Sequence, residues 1–254
     1  MEATLPAPPR SSLQPWAASG TQVLPVSGFL SDRLLVTYRA PAEQLAALVP
    51  APFELDVHAG FGFVSVCAVE ILGMRIARSP RALCFDNREF LYRIGVRHRS
   101  NPTFLSLRSD VSSSALAWLG RYFSHYRPQR AQVTLARAGS RLSMACESRD
   151  GYGDAALAVD LAMTGPDHSV FECAEKASAF LLGMAFSADA VSGRVRVQPI
   201  AHTPWTPRFV HAVHARFAFL EQLERRIGAA LDYDSTLAVQ AVHQVWGAAH
   251  WIRD

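Results

Sequence analysis

The chain has 254 residues, 50% of them apolar and 19% charged, with 25 Lys and Arg against 22 Asp and Glu for a net charge of +3. That is enough apolar mass for a substantial core in one large domain or two small ones, and it excludes a disordered chain, a collagen-like chain and a small disulfide-stapled scaffold. No basic block offers a nucleic-acid footprint, no run of about eighteen apolar residues offers a membrane span, and no apolar h-region marks a secretion signal.

Residues 1–29 are rich in proline and serine and read as an irregular arm. Strands are expected at 34–38 and 53–57, with a short helix over 41–49 that opens on Pro41. The run 61–71 alternates as a long strand, with Phe61, Phe63, Ser65, Cys67, Val69 and Ile71 on one face and Glu70 on the other. Residues 88–98 form another, with Glu89, Leu91, Arg93, Gly95 and Arg97 on one side and Phe90, Tyr92, Ile94 and Val96 on the other. Asn101-Pro102 marks a turn, after which 103–110 groups Phe104, Ser106, Arg108 and Asp110 on one face. Serines open a helix over 112–123, and alternating runs follow at 131–138, 141–148 and 155–164, with hairpin turns at Ala138-Gly139 and Asp150-Gly151. A helix is expected over 169–182 and a strand over 194–200. The tail reads as two amphipathic helices, 207–231 and 235–252. The fold class is α+β: a large antiparallel sheet, curled into a barrel or cone, with a C-terminal helical pair that offers a surface for a second copy of the chain.

The four cysteines (Cys67, Cys84, Cys146, Cys173) lie far apart and, without an export signal, read as reduced thiols in a cytoplasmic protein. No nucleophile elbow, phosphate loop or dinucleotide fingerprint occurs. Among the 25 basic residues Lys176 is the single lysine.

Several segments together resemble one family. Leu35 to Pro41 and Leu48 to Asp56 are similar to the opening of the DUF2071 (YqjF-like) proteins. Glu89 to Arg97 resembles their acidic-to-arginine strand, Phe104-Leu105-Ser106-Leu107 the strand after it, and His202-Thr203-Pro204-Trp205 a late His-x-Pro-Trp element. The likeness covers roughly 30–206. These proteins are grouped with the acetoacetate decarboxylase-like superfamily, and the resemblance implies a double-layered, cone-shaped barrel around a small-molecule cavity. In the decarboxylases a lysine just after the matching strand forms a Schiff base with a β-keto acid. Here Ser109 to Ala115 supplies no amine, which sets that route aside.

Arg93 and Glu89 emerge on one face about 13 Å apart. In a cavity, Arg93 binds a carboxylate or enolate and Glu89 serves as acid or base; the bland alternative is a structural ion pair or a solvent-facing strand. Arg108 and Asp110 either line a barrel mouth or tie off a strand end. Tyr92 joins the substrate-binding set. Glu70 becomes a proton mover if buried, and a wet carboxylate if its strand lies at an edge. His202 with Trp205 adds an acid–base candidate, or equally a histidine whose ring bonds to backbone. His211 and His214 share a helix face but lack a further ligand, so no metal is expected. The leading expectation is a cofactor-independent lyase, dehydratase, cyclase or isomerase acting on a small keto, enol or carboxylate compound. The alternatives are a non-catalytic binder of such a ligand, and an interaction protein with a vestigial cavity. Neither nucleic acid nor membrane is an expected partner.

Overall fold

The computed structural model describes residues 18–19, 25–76, 79, 84–99, 101–123, 128–165, 168–182, 186–191 and 194–252. The first elements are β1 (Ala18–Ser19), β2 (Val26–Pro41), α1 (Ala42–Ala46), β3 (Glu54–Leu55), β4 (Phe61–Ile76), β5 (Phe85–His98), β6 (Asn101–Val111) and α2 (Ser114–Phe123). Then come β7 (Gln129–Ala138), β8 (Arg141–Ser148), β9 (Ala155–Asp160), α3 (Ala174–Leu181), β10 (Phe186–Val191) and β11 (Arg194–His202). The chain ends with β12 (Arg208–Phe209), β13 (His211–Phe217), α4 (Ala218–Ile227), β14 (Asp232–Trp246) and β15 (His250–Ile252).

One large sheet carries the order β1-β15-β11-β14-β2-β4-β5-β6-β7-β8-β9-β13. Pairing is antiparallel except where β6 meets β7 and β10. β10 pairs with β11 on one side and, over two residues, with β6 on the other. The central strands are long, and β4 is buried almost continuously because both of its faces are covered. Val64, Val66, Ala68, Phe90, Tyr92 and Ile94 pack with β7–β9 and α4 in one core. Phe63, Cys67, Val69 and Ile71 pack with α2 and α3 in a second. Each fully buried Leu or Val stabilises the fold by roughly 1.5–3 kcal/mol. No helix among the described residues is long and apolar enough to cross a membrane.

The C-terminal reading needs correction. Of the helix expected over 207–231 only α4 forms, and its end is set by Gly228, which takes a left-handed φ of 68°. Residues 235–252 are not helical. β14 pairs with β2 from Asp232↔Arg39 to Trp246↔Val26, in the middle of the sheet. Thr236, Val239, Val242 and Val245 recur every third residue and imitate a helical stripe. The conformation that wins is the one β-branched residues favour, with Ser235 to Val239 buried on both faces. A positive φ at Ala241 (57°) then kinks the strand. This region therefore presents no helix pair to another subunit.

Smaller corrections concern boundaries. Val26 already lies in β2, within the range read as an irregular arm, and residues 1–17 and 20–24 of that range lie outside the described residues. The turn before β6 falls at Arg99 (φ 47°), while Asn101 and Pro102 pair with His98 and Arg97.

Candidate functional site

Strand parity puts Cys67, Val69 and Ile71 of β4 beside Glu89, Leu91 and Arg93 of β5, and all six line one cavity of about 70 Å³. At the ~10–15 Å³ that a water needs, that is room for roughly five waters or one small organic molecule. β2 adds Leu30 and Arg33, β6 adds Phe104, α2 adds Leu116, and β11 and β14 add Gln198, Ile200, Gln244 and Trp246. The wall is mostly apolar, with Arg33, Glu89, Arg93, Gln198 and Gln244 as its polar side chains.

Arg93 is 4% exposed. Its Nη2 donates to the Leu181 carbonyl at the end of α3 (2.7 Å), and its guanidinium carbon lies 4.8 Å from the Phe104 ring centroid. Among the described residues no carboxylate pairs with it. Burial, reinforced by the charge of Arg33, lowers its pKa to about 9, so its positive charge is held at a cost. Arg33 lies with its guanidinium carbon 5.8 Å from the Trp205 ring centroid, and its buried Nε has no hydrogen-bond partner among the described residues. Glu89, also 4% exposed, accepts a 2.7 Å hydrogen bond from the Ser109 hydroxyl. Gln198 donates to the Gly247 carbonyl (3.1 Å), whereas the buried Gln244 Oε1 has no partner among the described residues.

His202 and Trp205 come together, though neither lines the cavity. Their rings stack with centroids 3.6 Å apart at 18°. The His202 Nδ1–H donates to the Thr203 carbonyl (2.9 Å), and the Trp205 Nε1–H donates to Ser178 (3.1 Å). Burial, with a further push from Arg33, holds the His202 pKa below its ordinary value and favours the neutral ring. Arg33 links this pair to the cavity.

Four other expected site residues lie elsewhere. Glu70 falls between two cavity-lining neighbours and therefore points away; it accepts from Arg88 (2.9 Å) and Ser31 (2.7 Å) instead of being desolvated in the cavity. Tyr92 points into the opposite core, where burial and then the Asp110 charge raise its pKa far above the usual phenol. Arg108 and Asp110 share that opposite face because of a bulge in β6. Tyr92 pairs with Arg108 but Arg93 pairs with Ser106, so Leu107 is an extra residue that reverses the alternation. Phe104 and Ser106 therefore part company with Arg108 and Asp110. Arg108 donates to both oxygens of Asp110 (2.6 and 2.7 Å) and to Asp150 (2.9 Å). Burial works against that guanidinium's charge, but the two carboxylates overcome it and its pKa rises. Asp110 is itself raised by burial, against the pull of Arg108, and Asp150 is lowered to about 2 by its bond from Arg108.

Lys176 is 59% exposed on α3 and paired with Glu172, away from the cavity. His211 and His214 lie exposed on β13 instead of a helix, and among the described residues no cluster of His, Cys, Asp and Glu could hold a metal. The four cysteines are free. Sequence reasoning missed Arg33 and Gln244 as cavity residues. Arg33 fell just before the first regular run, and Gln244 stood on a supposed helix. Cys67 was placed on the correct face without being named as part of a site.

Comparisons with known proteins agree with this geometry at the level of fold. The DUF2071 family model, described as an uncharacterized conserved protein, matches residues 29–241. No curated protein matches the sequence. An acetoacetate decarboxylase from Legionella pneumophila subsp. pneumophila str. Philadelphia 1 is similar in structure, with a TM-score of 0.64 at 13% identity over 100% of this chain and 94% of that one. An acetoacetate decarboxylase-like enzyme from Sphingomonas wittichii RW1 has a TM-score of 0.62 at 12% identity, covering 90% of this chain and 93% of that one. The enduracididine biosynthesis enzyme MppR, complexed with pyruvate, has a TM-score of 0.57 at 13% identity, covering 97% of this chain and 94% of that one. At such identities the likeness speaks for the fold alone.

Proposed function

The chain belongs to the DUF2071 family, and from that premise we propose that its cavity binds a small oxygenated anion on which Glu89 moves a proton. The observation that carries this reading is Arg93: a guanidinium buried in a cavity wall with no carboxylate partner among the described residues. A buried charge is costly unless paired, and a ligand carboxylate or enolate supplies the partner in bidentate geometry. We also propose that the sheet wraps as a double-layered cone around this cavity, a reading supported by the pairing of β10 with both β6 and β11. The free cysteines fit a reducing compartment such as the cytoplasm.

In the proposed step the Glu89 carboxylate takes a proton from the carbon beside the ligand's carbonyl. The electron pair of that C–H bond moves to the carbonyl oxygen, where Arg93 stabilises the enolate. The Ser109 hydroxyl donates to Glu89 and fixes the position of its carboxyl group. The step requires no Schiff base, in keeping with the placement of Lys176, and no cofactor is assigned to it. It serves a lyase, dehydratase, cyclase or isomerase equally.

The test is proton exchange. In D2O, the signals of protons beside the carbonyl of pyruvate or acetoacetate are expected to disappear faster with the protein than without it. Glu89→Gln is expected to abolish the acceleration while retaining binding. Acceleration that survives Glu89→Gln contradicts the assignment. The mostly apolar wall favours a second reading, a non-catalytic binder. Binding without any exchange in the wild type selects that one.

A further inference from the structure

The cavity wall carries a nucleophile that the proposed proton transfer leaves idle. Cys67 lines the cavity as a free thiol. In the register of β4 and β5 it stands opposite Leu91, while Val69 stands opposite Glu89 and Ser65 opposite Arg93. Glu89 and Arg93 are therefore its two diagonal neighbours on the cavity face, roughly 7–8 Å away along the backbone and within reach of long side chains. Burial and then Arg33 oppose the Arg93 charge, whereas negative charge on Cys67 favours it, so sulfur and guanidinium sense each other. The thiol does not stand alone. The guanidinium beside it is 4% exposed, lines the same cavity and has no carboxylate partner among the described residues. A thiol set between a base and an anion-binding cation is what addition to a conjugated double bond requires: the base takes the thiol proton, and the cation meets the charge that develops beyond the attacked carbon.

We propose that Cys67 adds covalently to a small α,β-unsaturated carboxylate held by Arg93. Glu89 takes the thiol proton as the sulfur bonds to the β-carbon. The π pair of the C=C bond moves toward the carboxylate, where Arg93 stabilises it, and Glu89 returns the proton to the α-carbon. The product is a thioether, and the reverse sequence expels the unsaturated acid, so no further reactant is needed. A saturated carboxylate offers the sulfur no carbon to attack. This rests on the proposed reading that Arg93 anchors an anion and Glu89 moves a proton. To that reading it adds the chemical class of the ligand and a site of covalent attachment.

The test is affinity labelling with two matched reagent pairs, iodoacetate against iodoacetamide and acrylate against acrylamide, followed at each cysteine by peptide mass spectrometry. Exposed Cys84 serves as the internal reference. In both pairs the carboxylate-to-amide rate ratio at Cys67 is expected to exceed that at Cys84 by about tenfold or more, the worth of one charge-assisted contact. Excess propionate should slow the labelling of Cys67 and not of Cys84, and Arg93→Met should bring the two ratios level. Glu89→Gln is expected to slow acrylate addition at Cys67 by about a hundredfold, the usual contribution of a positioned base. Cys67 left unlabelled by all four reagents, or labelled by iodoacetate and not by acrylate, overturns the proposal. Calorimetry with propionate then separates the two readings: binding that is lost in Arg93→Met keeps the anion reading and removes only the nucleophile. Equal ratios at the two cysteines, with no propionate bound by the wild type, remove the anion reading and this proposal with it.

Discussion

Two buried arginines on opposite faces of one sheet show how partners decide a residue's role. Arg108, in the β7–β9 side of the molecule, is clasped by Asp110 and Asp150, and its hydrogen-bond donors are met by two carboxylates. Arg93, one residue beyond the register of Arg108 and across the sheet, has one backbone carbonyl, one aromatic ring and no carboxylate among the described residues. Burial penalises both charges. Only at Arg108 does the protein itself offset the penalty, so that site is structural, whereas Arg93 is left for something from outside.

The largest expected effect sharpens this contrast. Arg108→Met leaves the fully buried Asp110 without its counter-ion, and should cost about 3–5 kcal/mol in urea unfolding. Arg93→Met removes a charge held at a cost, and its melting temperature is expected to equal or exceed that of the wild type. Comparable losses in the two variants would erase the distinction. In binding the order inverts. Arg93→Met is expected to lose small-carboxylate affinity by more than about tenfold, the worth of one charge-assisted contact, in calorimetry.

Acid sensitivity gives a smaller effect with a definite sign. Asp150 has its pKa lowered from 3.8 to about 2, mainly by the hydrogen bond from Arg108, so it contributes stability above about pH 4 that is lost as pH falls toward 2. Asp150→Asn is expected to flatten the stability profile within that window and leave the profile near neutrality unchanged in slope. A profile as steep as the wild type's would remove Asp150 from the clasp. The smallest effect belongs to His202, whose imidazole should titrate by NMR with a midpoint below 6.5 and rise toward it in Arg33→Met. A midpoint above 6.5 in the wild type would mean that burial and Arg33 do not govern it.

What the sequence disclosed follows from parity. On β4 and β5 no bulge intervenes between Ser65 and Ile71 or between Glu89 and Arg93, so simple alternation placed Cys67, Glu89 and Arg93 on one face and Glu70 and Tyr92 on the other. On β6 the bulge at Leu107 defeats the same rule, and Thr-Phe-Leu-Ser-Leu-Arg-Ser-Asp contains no glycine or proline to announce it. β14 misled for a different reason: its small and β-branched residues recur at threes, and only the two-sided pairing with β2 and β11 reveals a strand. Reading β14 as a helix hid Gln244, and opening the first strand at Leu34 hid Arg33 on β2 beside it.

The most direct measurement is a crystal structure of the protein soaked with pyruvate or acetoacetate. The ligand carboxylate should lie within about 3 Å of the Arg93 guanidinium nitrogens. A carboxylate bound elsewhere, with Arg93 still donating to the Leu181 carbonyl and the cavity holding only water, would contradict the account.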